Sequence, residues 1–409
     1  MHFFQCKYVP LHRLSKENAM NVQLTQFMRS QVAHVPTGFH RYLFPRINWH
    51  RQMFALVGPR GIGKSTMFLQ YIKEHQQEER LFYVSADHTY FSNHTLTELA
   101  DEFVREGGQQ LFIDEIHKYP GWSRELKQIY DGHPDLRVGI TGSSVLDITK
   151  GEADLSRRVL IYTLQGLSFR EYLQLFHQIE TPVCSLDQIL QGQACVEGVS
   201  HPLPLFYDYL LHGYYPFGND PDFQSLINQV VGQTMENDIP QYANMSPSTG
   251  YKLKKLLAII AQSVPFKPVM DKLAGMVSTS RNLLPDYFLY MEKAGMIGQL
   301  RDTTGGIRGL GKVEKVYIDN PNLAYVLGSE NTDVGNIRET FFYNQMRVNH
   351  EVLSSSISDF EINGMTFEVG GRNKGKRQIA DVAKGYVVRD DIEYAAGNII
   401  PLWSFGLNY

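Results

Sequence analysis

Residues 53–75 read MFALVGPRGIGKSTMFLQYIKEH, and this stretch decides the fold of the chain. Five apolar residues are followed by a glycine-rich turn and then by a stretch of helical character. The turn, GPRGIGKS at 58–65, matches the pattern G-x-x-x-x-G-K-[ST]. That pattern is typical of a phosphate-binding loop (P-loop) when it joins a buried strand to a helix. The residues on both sides of the turn meet this condition.

The loop predicts nucleotide binding with magnesium. Glycine at positions 58, 61 and 63 lets the backbone curl until its N–H groups face phosphate oxygens, and the helix that follows adds its positive N-terminal end. We expect Lys64 to reach the β- and γ-phosphates and the Ser65 hydroxyl to ligate Mg²⁺. The predicted nucleotide contacts are Gly58, Pro59, Arg60, Gly61, Ile62, Gly63, Lys64, Ser65 and Thr66.

Two carboxylates end a second apolar run. Residues 110–115 read QLFIDE, so a buried strand leads directly into Asp114 and Glu115. Asp114 is suited to hold Mg²⁺ through its water shell, and Glu115 to orient and polarise the attacking water, because phosphoryl transfer depends mainly on positioning and electrostatics. Most Asp-Glu pairs are solvated surface charges, but the apolar run before this pair favours a site.

Two further residues are candidates for contact with the γ-phosphate. The strand-like stretch at 137–144, RVGITGSS, ends in polar residues, and we predict Ser143 as a γ-phosphate sensor, although serines at strand ends often only form turns. Arg157 and Arg158 precede another strand. A guanidinium there can neutralise charge on the γ-phosphate, in cis or from a neighbouring subunit, or can form an ordinary surface salt bridge. Arg158 is the preferred candidate.

Short apolar runs alternate with helical stretches from position 53 to about 165. The runs are typical of buried parallel strands, and the alternation predicts an α/β fold with a doubly wound parallel sheet. They begin at Met53, Leu81, Leu111, Val138 and Val159.

The pattern divides the chain into four segments, since 409 residues exceed what one core usually organises. Residues 1–165 are predicted to hold an N-terminal extension and the P-loop ATPase domain, and residues 166–250 a helical lid or connector. Residues 251–330 show helices followed by a hairpin-like stretch, which predicts a winged helix. Its last helix is expected to be capped by Ser280 or a neighbour. Residues 331–409 are predicted to form a small α+β domain.

Several stretches resemble a known family, the prokaryotic AAA-type ATPases that carry a winged helix and a nuclease-like C-terminal domain of unknown function. These stretches are GPRGIGKST, LFIDEIHKYPGW, LKQIYD, ITGSS and RRVLIYTLQGLSFREYL, and the resemblance runs from about residue 45 to the end. It implies a five-stranded parallel sheet with the catalytic strand between the P-loop strand and its neighbours, and adenine rather than guanine nucleotides. It also implies the roles argued above for Lys64, Ser65, Asp114, Glu115, Ser143 and Arg158.

The same resemblance implies a C-terminal domain similar to the PD-(D/E)XK nuclease fold. In that fold a helix glutamate, two further acids and a lysine surround a metal ion. The matching candidates are Glu339, Asp359 and Glu368. Gly370 stands where the lysine is expected, two residues after the last acid, which argues against an active nuclease. Lys374 or Lys376 is an alternative, since a flexible lysine reaches from a neighbouring position. Otherwise these acids are surface charges of a retained scaffold.

Composition limits the classes of protein that fit. With 43% hydrophobic and 20% charged residues, the chain is unlike disordered or fibrous proteins. A net charge of −4 gives no overall attraction to nucleic acid or to an anionic membrane. Three widely spaced cysteines without a C-x-x-C pair suggest neither a disulfide framework nor a zinc site. No apolar stretch approaches the length of a membrane span, so we predict a cytoplasmic protein without membrane contact.

DNA or RNA is one predicted partner. Between Gly370 and Arg389 there are six basic residues and one acid, Asp381, which suggests a local patch for phosphates. The winged helix adds possible backbone contacts, although packing between domains is its alternative role. Those contacts are Arg281, Arg301, Arg308, Lys312 and Lys315.

Three functions fit the sequence. The first is a Mg²⁺-dependent ATPase in which hydrolysis rearranges the lid and winged helix on the P-loop domain. The second is a signalling switch that holds ATP or ADP, turns over negligibly and binds an unknown protein partner. The third is an ATP-regulated nuclease. A homo-oligomer is possible for this class of ATPase, but no oligomerisation element is visible in the sequence.

Overall fold

A computed structural model describes residues 22–143, 155–262, 269–302, 312–328, 333–375 and 377–409. Its N-terminal part is built around a five-stranded parallel sheet with the strand order β2-β3-β4-β1-β5. The strands are β1 (Met53–Gly58), β2 (Leu81–Ser85), β3 (Gln110–Asp114), β4 (Arg137–Ser143) and β5 (Leu160–Thr163). The predicted α/β fold with a P-loop NTPase sheet is confirmed.

One expectation about this sheet is corrected. The catalytic strand β3 does not lie beside the P-loop strand, because β4 pairs with both of them and separates them. The carboxyl ends of parallel strands nevertheless share one edge of the sheet. The loop after β1 and the acids at the end of β3 therefore face the same side of the domain.

Helices cover both faces of the sheet. Strand β1 alternates its apolar side chains, so that Phe54 and Leu56 pack with α2 while Met53, Ala55 and Val57 pack with α3 and α4. A capping box at Thr95 and Glu98 begins α3. The helices are α1 (Val22–His34), α2 (Lys64–His75), α3 (Leu96–Arg105) and α4 (Trp122–Gly132).

The segment predicted as a lid or connector is helical. Its helices are α5 (Phe169–His177), α6 (Leu186–Leu190), α7 (Leu203–Asp208), α8 (Phe223–Gln233) and α9 (Ile239–Tyr242). Single π-helical turns, Tyr209–Gly213 and Thr234–Asp238, extend α7 and α8. Such turns are rare and frequently lie at functional sites. The second one faces the P-loop, as described below.

Three helices and a hairpin follow, in the order that the sequence predicts for residues 251–330. They are α10 (Pro247–Gln262), α11 (Met270–Val277), α12 (Leu284–Lys293) and the antiparallel strands β6 (Ile297–Arg301) and β7 (Val313–Ile318), followed by α13 (Pro321–Gly328). Ser280 caps a short 3-10 turn that leads into α12. The identity of this unit as a winged helix stays a prediction, and Arg308 lies outside the described residues.

The C-terminal part is α+β, as expected. Helix α14 (Val334–Met346) packs on a five-stranded mixed sheet with the order β12-β11-β10-β9-β8. Strands β8 to β10 pair antiparallel, whereas β10 to β12 pair parallel. They are β8 (Leu353–Ser354), β9 (Phe360–Ile362), β10 (Met365–Gly370), β11 (Gly385–Arg389) and β12 (Ile399–Pro401).

One apolar core joins the P-loop domain to the helical segment and the C-terminal sheet. Phe206 of α7 packs edge-on against Phe341 of α14, and Tyr42, beside the P-loop domain, packs against Tyr409. Arg41 and Glu171 form a buried ion pair, and Arg41 also donates to the Ile62 carbonyl within the P-loop. The helical segment is therefore tied both to the nucleotide loop and to the C-terminal sheet.

In the part of the chain that the structure describes, no helix combines the length and apolar character required to cross a bilayer.

Candidate functional site

The backbone of the P-loop has the shape of a phosphate cradle. Gly61 and Gly63 have φ angles of 82° and 94°, in the left-handed region that favours glycine. Helix α2 begins at Lys64, directly after the loop, so its N-terminal N–H groups face the space that the loop encloses. A loop of this form at a helix N-terminus binds anions, and phosphate above all.

The Lys64 ammonium lies at the beginning of the loop. Its Nζ atom donates to the carbonyl oxygens of Gly58 at 2.9 Å and Pro59 at 2.7 Å. Burial lowers the pKa of Lys64 to about 8, although the nearby carboxylates of Glu115 and Asp114 act in the opposite direction. The side chain predicted to hold the β- and γ-phosphates therefore lies against the first two residues of the loop, within electrostatic range of the two acids.

Asp114 is held in place by two hydroxyl groups. The Tyr83 hydroxyl donates to Oδ2 at 2.7 Å, and the Thr141 hydroxyl donates to Oδ1. Burial, with the adjacent Asp114 charge, raises the pKa of Tyr83 far above its ordinary value, so the phenol keeps the proton that it donates. Each carboxylate oxygen has a second lone pair that these two hydroxyls do not occupy.

Glu115 has an unusual backbone conformation that fixes its direction. Its φ angle is 51°, in the left-handed region that non-glycine residues seldom adopt, and its N–H donates to Thr141 Oγ1 at 3.0 Å. Thr141 therefore holds both acids. Burial, and after it the Asp114 charge, raises the pKa of Glu115 above its ordinary value. A carboxylate with a raised pKa is a stronger base towards water.

His117 is a neighbour of the site that the sequence did not single out. Its Nε2 atom lies 3.3 Å from Glu115 Oε2, yet neither ring nitrogen makes a hydrogen bond to the described residues. Burial, with the positive charge of Lys118, lowers the pKa of His117 to about 4. The imidazole is therefore neutral near pH 7. Tyr83 and Thr141 were also missed as supports of Asp114, because no local motif marks a hydroxyl contributed by another strand.

A cleft of about 360 Å³ lies over the P-loop. The helical segment closes one side of it, since a Cβ atom added to Gly61 would come within 2.9 Å of the Phe217 ring. The cleft is lined by Arg60, Gly61, Gly63, Lys64, Ser65, Thr66, Glu115, Pro216 and Phe217. Six of these were predicted as nucleotide contacts, whereas Pro216 and Phe217 were not, because their approach depends on tertiary packing.

The P-loop is also bound to the second π-helical turn. Arg60 Nε lies 3.2 Å from Asp238 Oδ2, and its Nη2 lies 3.4 Å from Oδ1. The Asp238 side chain is 4% exposed, whereas that of Arg60 is 33% exposed. A buried acid of the helical segment thus pairs with a cation of the nucleotide loop.

The structure places the two residues predicted to contact the γ-phosphate at opposite edges of the sheet. Ser143 pairs with Gly58 in the strand register, so its backbone lies at the P-loop edge, but its side chain lies outside the described part. Arg158 precedes β5 at the opposite edge and forms a bidentate pair with Asp131 at 3.0 and 3.2 Å. From the register, Arg158 is about six residues, or about 20 Å, from the P-loop edge. A cis role for Arg158 is therefore ruled out, while a role in a neighbouring subunit stays a prediction.

The three acids predicted for a nuclease-like metal site are neutralised by lysines. Lys315 of the β6–β7 hairpin lies 3.1 Å from both Glu339 Oε2 and Asp359 Oδ1, and the Tyr317 hydroxyl donates to Glu339 at 2.7 Å. Glu368 pairs with Lys374 at 2.5 Å. Within the described ranges, no group of three or more His, Cys, Asp or Glu side chains is arranged to hold a metal ion.

Several cations that were predicted to contact nucleic acid are instead paired with acids of the same chain. Lys315 is not on an exposed wing, because it is held between two acids of the C-terminal part. Arg301 pairs with Glu292 at 3.0 Å, and Lys374 of the 370–389 segment pairs with the buried Glu368. Lys376 lies outside the described residues. These pairs occupy cations that the sequence assigned to phosphate contacts.

Two family models match parts of the chain. Residues 50–173 match an AAA domain, and residues 203–333 match a domain of unknown function (DUF8612). The first range contains the complete sheet and both predicted nucleotide motifs, so the match supports an AAA-type P-loop domain in this part of the chain. The second range covers the later part of the segment predicted as a lid and the whole of the segment predicted as a winged helix. No curated protein sequence matches the chain.

Solved structures show a distant likeness. The replication initiator DnaA bound to AMPPCP and single-stranded DNA is 12% identical, with a TM-score of 0.30 over 67% of this chain and 88% of that chain. AMPPCP-bound DnaA from Aquifex aeolicus is 12% identical, with a TM-score of 0.27 over 68% and 90%. PCH-2 from C. elegans is 14% identical, with a TM-score of 0.26 over 65% and 67%. At such TM-scores, residue roles do not transfer between chains.

Proposed function

We propose that the chain binds ATP with Mg²⁺ at the P-loop and hydrolyses it, and that nucleotide state controls the position of the helical segment. The observation that carries this proposal is the grouping of Lys64, Asp114 and Glu115 at one edge of the sheet, with both acids anchored by Thr141. A cation for the phosphates, a carboxylate for a metal and a carboxylate for water are the groups that phosphoryl transfer requires.

Each side chain has a separate task in the proposed reaction. The loop N–H groups and Lys64 hold the β- and γ-phosphates and offset the negative charge that develops on them. Glu115 orients a water molecule towards the γ-phosphorus and accepts its proton, which its raised pKa favours. The bond between the γ-phosphorus and the β–γ bridging oxygen breaks, the bridging oxygen leaves with ADP, and the γ-phosphoryl group becomes inorganic phosphate.

Asp114 and the Ser65 hydroxyl are the residues that would hold magnesium. The residues fit this group, because Ser65 lines the cleft and Asp114 has its orientation fixed by Tyr83 and Thr141 while keeping lone pairs for coordinated water. Mg²⁺, when bound, supplies Lewis-acid stabilisation of the phosphate oxygens. Hard oxygen ligands of this kind are those that Mg²⁺ prefers.

Contacts of the P-loop with other segments support coupling between nucleotide and domain position. Phe217 and Asp238 of the helical segment contact the loop, and a Cβ atom at Gly295, which follows α12, would clash with the Pro59 ring. A nucleotide that changes the loop or its side chains therefore changes the surface on which these segments pack. This contact set is the proposed route from hydrolysis to rearrangement.

Steady-state release of phosphate from Mg-ATP tests the proposal. Lys64→Ala should abolish turnover and weaken ATP binding, whereas Glu115→Gln should reduce turnover by about 10²–10⁴-fold and leave binding intact. The assay is repeated with added DNA and RNA, and stimulation by one of them would identify the partner class. Absence of ATP binding by the parent protein would overturn the proposal.

A nucleotide-holding switch is a second candidate, favoured by the close packing of Phe217 over Gly61. Phe217 closes one side of the cleft, and a bound nucleotide that must pass it would leave slowly, as product release does in many enzymes. Retention of bound nucleotide through gel filtration, together with no phosphate release under any condition, would favour the switch over the ATPase.

A further inference from the structure

We propose that Asp238, acting through Arg60, makes the nucleotide site distinguish ATP from ADP. The inference rests on the proposed function, because it assumes that the P-loop binds these nucleotides. It assigns Asp238 as a specificity-determining residue that opposes ATP and Arg60 as one that favours ATP.

Arg60 borders the space for the γ-phosphate. The Lys64 ammonium contacts the Gly58 and Pro59 carbonyls, so it lies at the beginning of the loop, next to Arg60 in sequence. A P-loop lysine reaches the β- and γ-phosphates. Arg60 also lies within electrostatic range of Glu115, which polarises the water that attacks the γ-phosphorus in the proposed reaction. Arg60 also lines the cleft over the P-loop together with Lys64 and Glu115, the two residues assigned to the terminal phosphate and its attacking water.

Asp238 is far more deeply buried than its partner Arg60. The carboxylate lies at the end of the π-helical turn, is 4% exposed, and accepts a further hydrogen bond from Gln233 Nε2 at 3.3 Å. The Arg60 side chain is 33% exposed and long enough to rotate about its own bonds. When a second anion competes with Asp238 for Arg60, the arginine side chain therefore moves more readily than the buried acid.

A γ-phosphate competes with Asp238 for this guanidinium. Arginine binds phosphate through paired, charge-assisted hydrogen bonds, and a γ-phosphate brings negative charge close to the Asp238 carboxylate. Like charges at short range repel, so ATP must separate the Arg60–Asp238 pair, whereas ADP leaves the pair intact. The Arg60–Asp238 pair consequently lowers the affinity for ATP relative to that for ADP, because only ATP requires Arg60 to leave Asp238 for the γ-phosphate.

Binding titrations of the full-length protein with Mg²⁺ and two probes, AMPPCP and ADP, test this inference. Asp238→Asn should raise the ratio of AMPPCP affinity to ADP affinity by about tenfold, equivalent to about 1.4 kcal/mol. Arg60→Gln should lower the same ratio by a similar factor. Glu236→Gln is the matched control, since it removes an acid from the same turn that pairs instead with Lys254 at 2.8 Å, and it should leave the ratio unchanged.

The outcomes separate the inference from the proposed function. If the parent protein binds neither probe, both fail. If it binds both probes but Asp238→Asn and Arg60→Gln keep the parental ratio, the inference alone is overturned. Arg60→Gln alters the loop rather than the buried turn, so it tests the inference even if Asp238→Asn does not fold.

Discussion

The acids at the P-loop edge and the acids of the C-terminal sheet have similar neighbours in opposite arrangements. In both places a buried tyrosine donates to a carboxylate: Tyr83 to Asp114 and Tyr317 to Glu339. At the P-loop edge, the lysine bonds to backbone carbonyls and Glu115 lines an open cleft. Beside the C-terminal sheet, Lys315 of the β6–β7 hairpin lies directly between two carboxylates.

This difference separates the proposed nucleotide site from a structural cluster of ion pairs. The P-loop lysine keeps its charge available for a phosphate, because its hydrogen bonds go to neutral carbonyls. The charge of Lys315 is instead neutralised by two carboxylates, Glu339 and Asp359. Residue type and position at a strand end therefore do not define a site. The groups that neutralise the charges define it.

The largest effect is expected when the pairing of Lys315 with Glu339 and Asp359 is broken. Lys315→Met leaves Glu339 and Asp359 facing each other, with all three side chains about 15% exposed, and should lower the free energy of unfolding by about 3–5 kcal/mol at pH 7. Burial and Asp359 already raise the pKa of Glu339, and loss of the ammonium raises it further. Because a raised carboxyl pKa favours folding at lower pH, the loss should shrink at pH 5. Denaturant unfolding of the variant and the parent protein at pH 7 and pH 5 measures this loss in the free energy of unfolding.

The control for this variant is Lys312→Met, which removes an exposed lysine from the same hairpin and should leave unfolding unchanged. Equal stability of Lys315→Met and the parent protein at pH 7 would contradict a structural role for Lys315. The ATPase assay should show little change in either variant, since neither lysine lies at the P-loop.

Replacement of one acid in each region sharpens the comparison. Asp114→Asn removes the carboxylate proposed for the magnesium water shell and should reduce ATP turnover by about 10²-fold, or about 2.7 kcal/mol. Asp359→Asn should keep parental turnover, because its carboxylate bonds to Lys315 and to the Val369 N–H, away from the P-loop. Phosphate release at several Mg²⁺ concentrations measures both variants, and equal loss of activity would show that the two regions act together.

The two lysines should also differ in their response to pH. Burial lowers the pKa of Lys64 to about 8, so its ammonium loses the proton as pH rises through that value, and ATP affinity should fall about tenfold between pH 7 and pH 9. Burial alone would lower the pKa of Lys315 too, but Glu339 and Asp359 raise it overall, so this lysine stays charged. Binding titrations with AMPPCP check the first expectation. Affinity that is constant over this range would contradict it.

The smallest expected effect compares the two tyrosines. Tyr83→Phe and Tyr317→Phe each remove one hydroxyl donor from a carboxylate and should each cost about 1 kcal/mol of stability. Only Tyr83→Phe should lower ATP turnover, by less than about tenfold, because Thr141 still holds Asp114. Thermal unfolding and phosphate release on the same samples distinguish these effects. A similar loss of turnover in Tyr317→Phe would weaken the distinction between the regions.

Local sequence was sufficient where a function is carried by consecutive residues. The P-loop was predictable because an apolar run, glycines at fixed spacing and a helix follow one another between Met53 and His75. The acids at the end of β3, Asp114 and Glu115, were predictable because they directly follow four strand-like residues. Contact of Arg158 with a nucleotide in its own subunit could also have been excluded from sequence. Arg158 precedes a parallel strand whereas the P-loop follows one, so the two lie at opposite edges of the sheet.

Contacts between distant segments were not predictable in this way. Asp238 lies 178 residues from Arg60, and Lys315 lies 24 and 44 residues from its two acids. Nothing in a single sequence states which of many charged residues will pair. The tyrosine that supports Asp114 depends on the order of strands, which places β2 beside β3.

The sequence by itself determined the α/β fold, the phosphate loop and the pair of acids that face it, because backbone conformation and apolar periodicity are local properties. Only the tertiary structure decided which charges stay available and which are neutralised: Lys64 beside the cleft, Lys315 between two acids, and Arg60 held by Asp238. The physical reason is that a charge interacts through space. Its effect is therefore set by the partners and burial that packing brings to it, and not by its neighbours along the chain.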